Sequence, residues 1–121
     1  MTKEERKAYN KVNKLKLSAQ KRAWKNNNPD KVLESDLNRR YGVGAYEWYK
    51  AQYQTQNGCC AICGSSAPLS GKGRLVLDHN HNNKCWRALL CRPCNSAIGL
   101  LGDKFETIMN AANYVRKYGT A

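Results

Sequence analysis

A chain of 121 residues with 21 basic and 9 acidic side chains, net charge +12, has the length for one compact domain with an extension. It lacks a run of eighteen apolar residues, which excludes a membrane-spanning helix, and its charged start, Met1-Thr2-Lys3-Glu4-Glu5-Arg6-Lys7, has no apolar signal core, so a reducing cytoplasm is the expected setting. The surplus of positive charge predicts a polyanionic partner, nucleic acid ahead of a membrane surface, against the plain alternative of a merely solvated surface.

Thr2-x-x-Glu5 has the form of a capping box, and Ala8, Val12, Leu15 and Ala19 follow at helical spacing. Residues 3–25 therefore read as one weakly amphipathic helix, with nine Lys/Arg set against Glu4 and Glu5. It is expected to act as an electrostatic arm whose binding weakens with salt as counterions compete. Asn26-Asn27-Asn28-Pro29 breaks it; Asn28 is expected to cap a second helix with Pro29 in its first turn. Leu33, Leu37 and Tyr41 share one face of that helix and Gly42 ends it. A third helix is expected from Ala45 to Gln56, where Tyr46, Tyr49 and Tyr53 form a stripe suited to core packing more than to base stacking. Asn57-Gly58 stops it.

From residue 59 onward, cysteines, glycines and short apolar runs replace helical periodicity. Leu75-Val76-Leu77 and Trp86-Arg87-Ala88-Leu89-Leu90 read as two strands of a hairpin around a loop from Asn80 to Lys84. Pro93 suits the first turn of a helix carrying Cys94, Asn95 and Ile98, ending near Gly99–Gly102. Asp103, with Glu106 three residues on, is expected to cap a last helix whose apolar stripe is Ile108, Ala111, Ala112 and Val115. The organisation is thus a basic helical arm (1–28), a helical lead-in (29–58) and a cysteine-rich α+β region (59–121).

Cys60-x-x-Cys63 and Cys91-x-x-Cys94 are two CxxC turns separated by 27 residues. Each turn aims two sulfurs at one point, and together they supply the four thiolates that Zn²⁺ prefers in tetrahedral array. Such a site is closed to substrate, so the zinc would be structural, the staple that a small core needs. A disulfide pairing does not suit a reducing compartment, and thioredoxin-type chemistry would need one pair in a βαβ setting. Cys59 and Cys85 are left over and read as free thiols.

Leu77-Asp78-His79-Asn80-His81 lies between the CxxC pairs, and Asn95 directly follows the last cysteine. Asp78 at a strand end and Asn95 on the helix behind the hairpin offer hard oxygen ligands for Mg²⁺ or Mn²⁺. Imidazole titrates near neutrality, so His79 can take a proton from water. Plain readings stand beside these. Asp78 could be a turn residue, Asn95 a brace, and His79 or His81 a zinc ligand in place of a cysteine.

Cys60-Ala-Ile-Cys63, Leu77-Asp78-His79-Asn80-His81, Arg87-Ala88-Leu89-Leu90-Cys91-Arg-Pro-Cys94-Asn95 and Ala97-Ile98-Gly99 together resemble the recombination endonuclease VII family of phages, with similarity over roughly residues 37–118. The resemblance implies an α+β treble-clef zinc finger carrying a ββα-metal (HNH, His-Me finger) site, preceded by basic helices, with residues 59–121 as the zinc-stapled nuclease domain. It makes Cys60, Cys63, Cys91 and Cys94 the ligands of a structural zinc. Asp78 and Asn95 become ligands of a catalytic Mg²⁺ or Mn²⁺, His79 the general base, and His81 a phosphate contact or support. Arg87 matches a family arginine that holds the backbone or the hairpin. The chain departs from the family where Asn80 replaces Asp and where Lys84 and Ala88 replace Gly. The implied activity is metal-dependent hydrolysis of DNA phosphodiesters in the host cytoplasm. Resolution of branched DNA such as Holliday junctions, homing-type or nicking cleavage of linear duplex, and a non-catalytic zinc DNA-binding module are the three competing forms. One such site cuts one strand per visit, so cutting two strands requires a homodimer or a second visit.

Overall fold

A capping box opens the first helix: the Thr2 hydroxyl accepts from the Glu5 N–H at 3.1 Å, and the Glu5 carboxylate accepts from the Thr2 N–H at 2.8 Å. This is seen in a computed structural model that describes residues 1–119. Helix α1 spans Lys3–Asn27, α2 Pro29–Tyr41 and α3 Ala45–Thr55. After these come β1 (Val76–His79), β2 (Trp86–Leu90), α4 (Arg92–Leu100) and α5 (Phe105–Tyr114), the last running into a π-helical turn at Val115–Gly119. The fold is mixed, α-helices together with one small two-stranded antiparallel sheet. None of the described helices is long and apolar enough to cross a membrane. The chain divides into two compact units, one from Met1 to Tyr46 and a second beginning at Glu47.

In the first unit, α1 buries no side chain, and Val12, Leu15 and Trp24 all stay more than half exposed. Its helicity rests on its capping box and on good helix formers rather than on packing. Asn28 stands at the cap position of α2 as expected, but its side chain makes no capping bond there. Its side-chain amide turns back and donates to the Trp24 carbonyl at 2.7 Å, closing the end of α1 instead. Helix α2 starts on Pro29 and stops at Gly42, whose φ of 104° is open to glycine. Leu33, Leu37 and Ala45 are the buried apolar residues of this unit.

In the second unit, Tyr49, Cys60, Leu75, Leu77, Leu89 and Leu90 are buried. The tyrosine stripe behaves as core. The Tyr49 hydroxyl donates to the Leu75 carbonyl at 2.8 Å and that of Tyr53 to the Ala67 carbonyl at 2.6 Å, which satisfies both phenols. β1 pairs with β2 with Val76 opposite Leu90, Leu77 opposite Leu89 and His79 opposite Trp86. Two steps along β1 meet three along β2, so β2 carries an extra residue at Arg87–Ala88. Such a bulge re-aims side chains.

Gln56, just past α3, joins three parts of this unit. Its amide nitrogen donates to the carbonyls of Cys59 (2.8 Å) and Leu89 (2.9 Å), and its oxygen accepts from the Leu89 N–H at 2.9 Å. The end of the helix, the first cysteine turn and β2 are thereby tied to one carboxamide. Gln56→Leu leaves the buried Leu89 N–H without an acceptor, which costs about 1–3 kcal/mol. We expect a melting temperature lower by at least about 4 °C, read by circular dichroism.

The last helix departs from expectation. Asp103 does not cap it. Lys104 occupies that position without a side-chain bond, while Asp103, at φ 54°, turns its carboxylate to Arg87. The expected apolar stripe stays largely uncovered: α5 buries no side chain and Val115 is 53% exposed. Ile62, Cys94, Ala97, Ile98, Leu101 and Ile108 line an open apolar groove of about 390 Å³.

Candidate metal centre and hairpin site

The two CxxC turns converge. The sulfurs of Cys60, Cys63, Cys91 and Cys94 all lie within 4.8 Å of one another, and those of Cys63 and Cys91 are 3.6 Å apart. With a metal–sulfur bond of about 2.3 Å, a tetrahedral site has sulfur–sulfur edges of about 3.8 Å, so the donor set fits zinc. Local backbone geometry prepares the first turn. Cys60 N–H donates to the Ser65 carbonyl at 2.8 Å, Gly64 N–H to the Cys60 carbonyl at 3.1 Å, and Ile62 N–H to the Cys60 sulfur at 3.4 Å. Cys91 stands immediately before α4 and Cys94 lies in its first turn, so the helix is pinned at its start.

Thiolate character is uneven across the cluster. Burial works to raise the Cys60 pKa, but hydrogen bonds from the backbone of Cys91, Cys63 and Ile62 outweigh it and bring it to about 6. The Ser65 hydroxyl and N–H lower that of Cys63. Cys94 goes the other way, to about 12, chiefly through its hydrogen bond with Cys91 and then through burial. Four negative sulfurs this close repel one another, so a cation is what would hold all four deprotonated together. Cys59 stays outside the cluster, paired through its backbone with Ser66, and Cys85 is exposed on the hairpin loop.

The hairpin carries the remaining candidates. Asp78 and His79 end β1; His81 lies exposed in the loop, its ring 4.7 Å from that of His79 between centroids and tilted by 58°. Asn95 is half-buried on the first turns of α4, the helix that packs against β1. Asp78 is nearly buried, with 11% of its side chain exposed.

The residue that composition and spacing left without a definite role is Arg87. Its Nε donates to Asp78 Oδ2 at 2.6 Å, and its terminal nitrogen donates to both Asp103 oxygens at 3.1 and 3.2 Å. Bonding to Asp78, then to Asp103, raises the Arg87 pKa above its ordinary value, against the effect of burial. A bridged Asp–Arg–Asp chain thus fixes the Asp78 carboxylate, leaving its other oxygen for a further ligand. The bulge in β2 is the feature that puts Arg87 across from Asp78, and residue alternation alone does not reveal it.

The loop explains two departures from the family pattern. Asn80 Oδ1 accepts from the N–H groups of Asn82 (2.8 Å) and Asn83 (3.3 Å). That turn needs a side-chain oxygen and not a charge, so Asn serves as Asp would. Lys84 has φ 61°, a conformation in which glycine is unstrained and lysine is not.

Comparison with known proteins places these features in context. Residues 34–117 match the family model for recombination endonuclease VII. The Gene 59 protein of Mycobacterium phage D29 is 38% identical over 86 residues, covering 69% of this chain and 50% of that protein. The Gene 59 protein of Mycobacterium phage L5 is 32% identical over 83 residues, covering 68% and 49%. The chain therefore spans about half the length of the curated relatives it matches.

Proposed function

The chain belongs to the recombination endonuclease VII family, and from that premise we propose that it is a metal-dependent DNA endonuclease with a treble-clef zinc finger and an HNH-type site on its hairpin. The observation that carries the reading is the junction of the two halves of the site. The helix pinned by Cys91 and Cys94 is the one that bears Asn95, and it packs against the strand that ends in Asp78 and His79. Cys60, Cys63, Cys91 and Cys94 hold a structural zinc, and the domains follow as a basic arm (1–28), a lead-in (29–58) and the nuclease region (59–121).

Asp78 and Asn95 supply hard oxygens suited to Mg²⁺ or Mn²⁺, which when bound would polarise the scissile phosphate and offset its developing charge. Arg87 orients Asp78. His79 removes a proton from water as its oxygen forms a bond to phosphorus and the bond to the 3′ oxygen breaks. His81 supports this from the loop, next to the His79 ring. The lysines and arginines of α1 gather the DNA backbone. A cytoplasmic setting in a bacterial host suits the reduced thiols.

The test compares a four-way junction with a linear duplex of the same sequence, each with Mg²⁺, with Mn²⁺ or with neither, and without chelator. Faster cutting of the junction supports resolution of branched DNA, and a single preferred cut on the linear duplex supports a homing-type or nicking enzyme. Binding without metal-dependent cleavage of either would leave a zinc DNA-binding module. Gel filtration with light scattering reports whether a homodimer does the cutting.

The ion pair gives a second test. Arg87→Ala leaves Asp78 nearly buried without its cation, at a cost of about 1–3 kcal/mol after allowing for the exposure of Arg87. We expect its melting temperature, taken without chelator and without added Mg²⁺, to drop by several degrees, about 4 °C or more. Mg²⁺ should restore part of that loss and should stabilise the variant more than the wild type. Equal Mg²⁺ effects on the two proteins would argue against Asp78 as a metal ligand.

A further inference from the structure

A pocket of about 350 Å³ in the second unit is lined by Gly71, Lys72, Gly73, Arg74 and Arg92. It holds three cationic side chains and no carboxylate. The loop forming it is a tight turn, closed by Arg74 N–H donating to the Gly71 carbonyl at 3.3 Å. Gly73 has φ 84°, as the third position of such a turn demands, so Lys72 stands at its apex. Nothing lies within 4 Å of where a Cβ would stand on Gly71 or Gly73, so a ligand can approach the main chain there.

The two arginines come from different elements. Arg74 directly precedes the buried Leu75 and lies close enough to Tyr49 for its charge to oppose the rise that burial gives that hydroxyl, which still reaches about 12. Arg92 is the first residue of α4, next to Cys91 of the sulfur cluster. It stands three residues before Asn95, so the two share one face of the helix, one turn apart.

We infer that this pocket is a second phosphate subsite, gripping a DNA backbone phosphate on the same strand as the bond to be cut and a few nucleotides away from it. The inference rests on the reading of the chain as a DNA-acting protein. Its spacing comes from β1: Arg74 and His79 are five residues apart, about 16 Å at strand rise, which matches a span of two to three nucleotides. A uniformly basic pocket with open main chain suits a phosphodiester, whose negative oxygens take a lysine and two arginines at once. With one phosphate held at Asp78–Asn95 and another here, the strand would be fixed at two points along the hairpin.

The test measures binding without cutting. A fluorescein-labelled linear duplex is titrated by anisotropy without chelator and without added Mg²⁺ or Mn²⁺, at several NaCl concentrations, with wild type, Lys72→Gln/Arg92→Gln, the charge reversal Lys72→Glu, and Lys104→Ala/Lys117→Ala as a control of equal charge loss. The logarithm of affinity falls with that of salt by about 0.9 per phosphate contact. The pocket double variant should lose about one such unit of slope and about tenfold in affinity at moderate salt, with a larger affinity loss for Lys72→Glu, while the control keeps the wild-type slope. In Mg²⁺ the pocket variant should raise KM more than it lowers kcat. Inorganic phosphate that competes equally well against wild type and the pocket variant, or equal losses in the two double variants, would overturn the subsite. Wild type that binds but never cuts would overturn the nuclease reading and leave the subsite to the binding data alone.

Discussion

His79→Ala is expected to slow DNA cleavage by about a hundredfold to ten-thousandfold while leaving the fold and the DNA affinity nearly unchanged, the usual contribution of a positioned general base. His79 is the last residue of β1, and its backbone pairs with Trp86 whatever its side chain is. Its ring is only half-buried, so truncation removes little packing, within about 0.5–1 kcal/mol. Its ring lies 4.7 Å from that of His81, centre to centre. His81→Ala should therefore cost less than His79→Ala, and any activity left in the His79 variant should fall further in the double variant. Single-turnover nicking of supercoiled plasmid in Mg²⁺, with anisotropy in Mg²⁺-free buffer without chelator for affinity, separates the chemical step from binding. A His79→Ala protein that nicks at the wild-type rate would require another base.

Cys91→Ser is expected to unfold most of the second unit, and chelation of the wild type should do the same more slowly. Among the described residues, the buried side chains there besides Asp78 amount to Tyr49, Cys60, Leu75, Leu77, Leu89 and Leu90, too few to offset the entropy of ordering two strands and three short helices. A structural zinc supplies an apparent stabilisation of about 10–16 kcal/mol in comparable small motifs, more than such a unit can lose and stay folded. Cys91 is the demanding choice, because it lies between β2 and α4 and its sulfur is 3.6 Å from that of Cys63. Cys85→Ser, on the exposed loop, is the control and should melt like the wild type. Zinc content by atomic emission and melting by near-ultraviolet circular dichroism report the outcome. Equal melting with and without chelator would remove zinc from the account of stability.

Much of the framework was legible in the residues because it depends on local chemistry. Thr2 and Glu5 mark the start of α1, Pro29 and Gly42 bound α2, and the largely apolar run from Trp86 to Leu90 delimits β2. The cysteine spacing likewise foretold which sulfurs would meet, since a CxxC turn is a local geometry. What escaped was set by tertiary context. Asp103 and Asn28 carry good capping chemistry, but each found a nearer partner, Arg87 and the Trp24 carbonyl. The pairing of Arg87 with Asp78 depends on one extra residue in β2, and a one-residue slip is invisible to periodicity. The stripe on α5 had the right period for a core helix, yet no partner element closes over it among the described residues.

The carboxamide of Gln56 has one more consequence. A two-stranded sheet exposes an outer flank of main-chain donors and acceptors on each side, a template on which a stray extended segment can grow. At Leu89 that flank is already taken: its N–H is bonded to the Gln56 side chain, and its carbonyl is shared between Gln56 and the Ala61 N–H. One glutamine thus impersonates the missing third strand. Its loss should show up as self-association on storage as well as in melting.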